Sequence, residues 1–514
     1  MADKPIKIIE IKDKAWMGGI SVYPYVPTGG LFSQATNFDP FIKAGLHTPS
    51  GDPTRYGDAQ IGSNVRISSF ITYSSTVLAG RLLYAFGSDG STAKLFDIRT
   101  SDGTTTDVSS KLSVSGTSRG AIEFKGKAVY IYSTTVTSNS IPIPSSGGEV
   151  TILSGLNSTG NAFMKVAPDR NLYITNGNKI ARITSVTGTS GNATAFLTFE
   201  DNMATRHLDD DGQHLIIVGD ANTQDPGSGN FGSYNLGDSS SRYRCFVAFG
   251  NMKSQDLTRV WDFNDQRVFG VTVVEDEVII IGVDNIYTCS VNSKPRVLVP
   301  LKGNASLPAS TVAVEPYAVI KQENGVSIWA SEKGLRGYGR IHPSLPKAFF
   351  TAYTIPDSAN FTTIRALVAT GNSTNNMWAT TDNGRLYTFI NTTTQTSTLT
   401  IAGIDFKQPY RFAFAKVILD DDLASGQSVD IEILTGNGDQ TVVKNTKNQD
   451  PSFDFTTYGA VKSHIFYPYQ TDGSTTSSDV FDDLSDIKII NVGANIRRFE
   501  IWGYPIRPDQ DTYL

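Results

Sequence analysis

Residue types that could carry chemistry are present, but their surroundings do not suit it. Residues 116–120 read GTSRG, the G-x-S-x-G pattern that in hydrolases holds a nucleophilic serine on a strand-to-helix turn. The adjoining residues 121–132, AIEFKGKAVYIY, predict a strand, so Ser118 lacks the helix that such an elbow needs. Residues 227–232, GSGNFG, match the glycine fingerprint of dinucleotide sites, yet no strand leads directly into them and no helix comes after to face a pyrophosphate. The histidines His47, His207, His214, His342 and His464 show no metal-ligand spacing, and there is no H-E-x-x-H motif or paired-cysteine motif. Asp209-Asp210-Asp211-Gly212 and Asp420-Asp421-Asp422 offer clustered oxygens to a hard cation. They lack the ligand alternation of a calcium loop and read as solvated turns. Cys245 and Cys289 read as small buried hydrophobes in strands, since two cysteines in 514 residues are no disulfide framework. Six Asn-x-Ser/Thr triplets, at Asn157, Asn192, Asn304, Asn360, Asn372 and Asn391, are what a Ser/Thr/Asn-rich chain gives by chance. No catalytic, cofactor-binding or metal-ligating residue is assigned, and the chain is expected not to be an enzyme.

The elements that would have to position such residues are strands. Charged residues are 18% of the chain, below the ~25% usual in soluble proteins, and 46 glycines with many Ser, Thr and Asn take their place. That composition suits short strands joined by tight turns, and almost no stretch carries apolar residues at helical spacing over three turns. The fold class is all-β. A net charge of −6 argues against sequence-reading of nucleic acid, though not against a channel through which DNA slides. The opening MADKPIKIIEIKDKAW breaks every apolar run with charge, so no secretory signal is expected. The longest apolar stretch, residues 278–283, is far short of the ~20 residues that span a bilayer and reads as a buried strand.

A strand–turn–strand unit recurs along the middle of the chain. Its central residues are Tyr84, Tyr130, Tyr173, Ile216, Ile280, Trp329 and Trp378, with steps of 46, 43, 43, 64, 49 and 49. The long step contains residues 220–241, a polar, glycine-rich run that reads as an inserted loop. A period of ~40–50 residues is that of a β-propeller, in which blades packed radially bury each other's faces. About seven blades are expected over residues 66–398. Residues 1–65 are proline-rich, with a turn at Gly29-Gly30, and read as an extended arm. From 399 to 514 longer alternating strands predict a closing β-sandwich.

Two resemblances bear on function. Residues 380–387, TTDNGRLY, resemble the Asp-box hairpin of sialidases and related propellers, with Thr and Tyr substituted; in that family the box shapes a turn away from the active site. The whole organisation, with GGLFSQATNFDPF from Gly29 and NIRRFEIWGYPIRP from Asn495, resembles the tail proteins of tailed bacteriophages, most of all the nozzle or hub proteins of short-tailed phages. That resemblance implies a virion structural protein, made in the host cytoplasm. It implies a homohexameric ring below the portal and adaptor that conducts DNA at ejection without sequence-specific binding. The acidic runs at residues 209–211 or 420–422 would then face the lumen and repel phosphate. The competing expectation is a host-surface glycan-binding or glycoside-hydrolysing, sialidase-like propeller.

Overall fold

The structure, a computed structural model, describes residues 4–17, 32, 34–38, 47, 49, 54–55, 61, 65–75, 80–100, 104–145, 147–158, 162–201, 203–222, 243–302, 316–321, 325–331, 334–340, 343–344, 346–354, 364–369, 377–381, 386–388, 396–402, 410–435, 440–444, 452–468, 480–481 and 484–505. Among them the strands form seven four-stranded antiparallel sheets and one eleven-stranded sheet.

The seven small sheets are propeller blades in chain order. Blade 1 is Val65–Ser75, Gly80–Asp89, Thr92–Arg99 and Thr105–Asp107; blade 2 is Ser118–Phe124, Lys127–Tyr132, Thr135–Ser140 and Val150–Leu153. Blade 3 is Met164–Val166, Leu172–Asn176, Lys179–Ile183 and Ala193–Thr198; blade 4 is Met203–Asp210, His214–Asn222, Tyr243–Asn251 and Leu257–Phe263. Blade 5 is Val268–Val274, Glu277–Gly282, Asn285–Ser290 and Ser293–Pro300; blade 6 is Val319–Lys321, Ser327–Ser331, Gly334–Gly339 and Ala348–Thr354. Blade 7 takes Ile364–Ala369, Met377–Thr381 and Leu386–Thr388 from the end of the repeat, and its fourth strand, Thr54–Arg55, from the N-terminal region. The first strand of each blade touches the first strand of the next, and blade 7 touches blade 1, so the ring is closed.

Every repeat marker falls in the second strand of its blade, and the six whose side chains are described are buried. The second strand is covered on both faces by adjacent blades, so it reads as an unbroken apolar run, as in LYIT and VIII. The fourth strands of blades 4 and 5, Leu257–Phe263 and Ser293–Pro300, are largely exposed instead, whereas that of blade 6 is buried from Ala348 to Thr351.

The eleven-stranded sheet is the sandwich. Its path runs Ile6–Lys12, Ile496–Pro505, Tyr410–Leu419, Ser463–Pro468, Gln440–Lys444, Ser428–Thr435, Leu484–Val492, Thr396–Ala402 and Gln34–Thr36, with two short strands, Ser452–Asp454 and Val480–Phe481, pairing beside it. Inward residues of one half (Val417, Phe466, Phe499, Ile501) and of the other (Leu399, Val429, Ile431, Ile489) share one core, the arrangement of two packed sheets. The stretch expected as an arm thus supplies strands to both domains, and the sandwich joins Ile6–Lys12 and Gln34–Thr36 to the strands from Thr396 to Pro505. Its core is continuous with that of blades 5 and 6 through Phe269, Ile279, Trp329 and Phe349. The Phe38 amide donates to the Thr351 carbonyl of blade 6 at 3.1 Å.

Candidate functional site

Of the residues singled out for chemistry, Ser118, Asp209, His207 and Asn192 are engaged in holding blades together. Ser118 opens the first strand of blade 2 and exchanges a 2.7 Å hydrogen bond with Ser68 of blade 1. The neighbouring Arg119 donates to the carbonyls of Ser133 at 2.9 Å and Asn157 at 2.5 Å. The GTSRG run leads into a strand, so no elbow forms.

Asp209 lies buried between three blades: Lys165 of blade 3 donates to one oxygen at 2.6 Å and the Val273 amide of blade 5 to the other at 2.7 Å. Asp210 shares Lys165 at 3.3 Å, and Asp211 closes the turn by accepting from the His214 amide at 2.6 Å. The expectation of a solvated run fails at Asp209, because an ammonium and an amide on either side bind it inside the propeller. Residues 420–422 form a turn tied by Asn495 to Asp421 at 3.2 Å. Among the described residues no group of His, Cys, Asp and Glu could hold a metal ion.

His207 stacks on Phe163 at 3.8 Å and accepts the Val271 amide at 3.3 Å, joining blades 3, 4 and 5. Cys245 and Cys289 are free and buried; burial pushes the Cys245 thiol well up and that of Cys289 to about 12, so neither is a ready nucleophile. The Asn192 amide accepts from Thr184 and Ser185 and donates to the carbonyls of Ile152, Ser185 and Gly188, so it is a joint between blades 2 and 3. Residues 227–232, His342 and the Asp-box turn at 382–385 lie outside the described residues; the strands flanking that turn do pair, Thr380 with Leu386.

Two features escaped the sequence. Arg206 and Asp220 form a buried bidentate pair, Nε to Oδ1 at 2.8 Å and a second bond of 3.0 Å, beside Cys245 and the half-buried Arg267. Asp220 therefore belongs to the second strand of blade 4 and not to the inserted loop. Tyrosine–carboxylate ties also recur around the ring: Tyr73 to Asp97, Tyr130 to Glu149, Tyr173 to Asp169, Tyr287 to Asp265 and Tyr338 to Glu277. Burial, with the adjacent carboxylates, holds these phenols protonated well above the ordinary tyrosine range.

The propeller axis is occupied. Tyr317, in the turn Pro316–Ala318 before blade 6, donates its hydroxyl to the Ala162 carbonyl at 3.1 Å and packs on Phe163 at 5.2 Å. It also packs against the cores between blades 2 and 3 and between blades 7 and 1. A Cβ at Gly120 would stand 2.0 Å from the Tyr317 hydroxyl, so glycine there makes room for the ring.

The outer face of the sandwich is a different kind of surface. Trp502 and Phe414 stack across neighbouring strands at 5.5 Å, Tyr467 continues the row at 6.4 Å, and Tyr504 lies two residues on from Trp502. Beside the row lies a charge lattice in which Lys7, Lys12 and Arg498 surround Glu10, and Lys7 and Arg498 flank Glu500.

These ladders define the class: a seven-bladed β-propeller protein with a β-sandwich built from strands that precede and follow the propeller in the chain. No protein-family model matches the chain, and no curated protein does. Its likeness to solved structures is one of fold. The WD40 β-propeller domain of Doa1 is 11% identical, with a TM-score of 0.40 over 66% of this chain and 97% of that one. The Dos1 propeller is 10% identical, with a TM-score of 0.41 over 76% and 96%. The Neurospora crassa Pan2 WD40 domain is 9% identical, with a TM-score of 0.37 over 65% and 96%. Among the described residues no helix is long and apolar enough to cross a membrane.

Proposed function

We propose that the protein is a structural component of a bacteriophage tail, a nozzle- or hub-like subunit whose copies form a ring, six in number, below the portal and adaptor. The observation that carries this reading is the engagement of the reactive side chains: Ser118, Asp209, His207, Arg206 and the five tyrosines are ties within or between blades. Such a body is rigid and offers little to a substrate. Trp16 links the two stretches that carry the phage resemblance. The Trp16 indole donates to the Arg497 carbonyl at 3.0 Å, and Trp16 packs with Phe32 and Phe38 beside the final strand. DNA travels through the hole between subunits, since Tyr317 fills the axis of each propeller.

The sialidase-like alternative needs arginines converging on a carboxylate. Arg119 is held by carbonyls, Arg206 by Asp220 and Arg340 by Glu275, at separate places. Electron micrographs of the purified protein are the test: rings with an open centre are expected. Lone particles that adhere to host cells or cleave a sialoside would overturn the reading.

A further inference from the structure

Among the described residues five large hydrophobic side chains are exposed, and two of them, Tyr467 at 49% and Tyr504 at 36%, lie on the outward face of the sandwich with the Trp502–Phe414–Tyr467 row. Exposed apolar groups gathered in this way, with a polar border, mark a surface that meets something. The geometry says what kind of partner. A sugar would need the flat faces of the rings. Here Phe414 covers one face of Trp502 with the planes 18° apart, Lys7 lies over the Trp502 ring at 5.9 Å, and the indole N–H is taken by Glu500 at 3.0 Å. Edges and hydroxyls are what remains outward, and they suit a protein.

Charge narrows the partner further. Lys7, Lys12, Lys416 and Arg498 outnumber Glu10 and Glu500 on this face, although the chain as a whole is at −6. The opposite balance occurs where the first and second strands of blades 4 and 5 join. Asp210, Asp211, Glu275 and Asp276 crowd there, and the Asp276 side chain is 93% exposed. Six carboxylates, Asp209 to Asp211 and Glu275 to Glu277, meet three cations there: Lys165 lies between Asp209 and Asp210, Arg340 on Glu275, and Lys347 between Asp276 and Glu277. Resting on the proposed ring, we propose that the aromatic and basic outer face of the sandwich docks on the acidic end of blades 4 and 5 of a second copy of this chain. Two different patches meeting make a head-to-tail contact, which closes into a ring when the rotation allows. Opposed charge sets its register and the aromatic row supplies the desolvated centre.

Light-scattering mass of the full chain tests this with Lys7→Glu/Lys12→Glu, with Asp276→Lys, and with all three changes together. The wild type is expected to assemble. Each reversed surface alone should weaken assembly at least tenfold, and the combination should recover it. Tyr467→Ser, at the exposed end of the row, should weaken assembly in the same direction. If the wild type assembles and these variants assemble equally well, the surface is misassigned while the ring reading stands. If the wild type stays single at every concentration, the ring reading falls and this contact with it. Retention of single wild-type copies on alginate, lost in Tyr467→Ser, would give the face to an acidic sugar and overturn the proposal.

Discussion

His47 is a titratable group shut in an apolar box. It is fully buried, lies against Trp16 at 5.5 Å and Phe38 at 5.3 Å, and its Nε2 meets the Ser397 hydroxyl at 3.0 Å. Burial holds the imidazole at about 3, against the ordinary value of 6.5. The folded state thus prefers the neutral ring, and its contribution is complete above pH 6.5. As pH falls from there towards 3 the unfolded chain takes up a proton that the folded one refuses, and stability drops by about 1.4 kcal/mol per pH unit. Melting temperatures at pH 7.5, 5.5 and 4.5 should fall more steeply for the wild type than for His47→Gln; parallel curves would contradict this. Arg206 and Asp220 make a second residue-scale test. Asp220→Ala leaves a buried guanidinium beside Cys245 and should cost about 3–5 kcal/mol in denaturant unfolding, whereas Arg206→Met with Asp220→Leu should regain most of it. Equal losses in both variants would show that packing, not charge, dominates there. Nothing in the sequence announces this pair, because its partners are fourteen residues apart on adjacent strands and each resembles an ordinary turn or surface charge.

At the scale of elements, the propeller was legible because its period is physical. A strand buried on both faces must be apolar throughout, and the aromatic or aliphatic centre of each such strand returned every ~45 residues. The fourth strand of blade 7 was not legible. Thr54–Arg55 has no room for alternation, and its partner Leu386–Thr388 lies more than 330 residues away. The same holds for Gln34–Thr36, which pairs with Thr396–Ala402 across the whole propeller. Deleting Thr54 and Arg55 from the full chain should therefore lower the propeller transition in calorimetry; an unchanged transition would show that the ring does not need that strand. Tyr317 is an element-scale part as well, since one turn fills the axis for several blades. Tyr317→Ala should cost about 3–5 kcal/mol by opening a cavity. Gly120→Ala should destabilise alone and add less than its own cost on top of Tyr317→Ala, because the clash has gone. Full additivity would place the two groups apart.

Over the whole molecule, Ile6–Lys12 and Gln34–Thr36 join the strands from Thr396 to Pro505 in one sandwich whose core runs on into blades 5 and 6, so the propeller is inserted between sandwich strands and the two domains share a core. Among the described residues many buried polar groups are joints within or between blades, Tyr317 fills the axis, and an aromatic row ending in the exposed Tyr467 lies on one sheet face. The proposed tail role has it act through the surfaces it presents to neighbours. Native mass spectrometry of the purified full-length chain tests that most directly. A single closed species of six copies is predicted. A lone monomer at every concentration, or an open-ended ladder of masses, would contradict it.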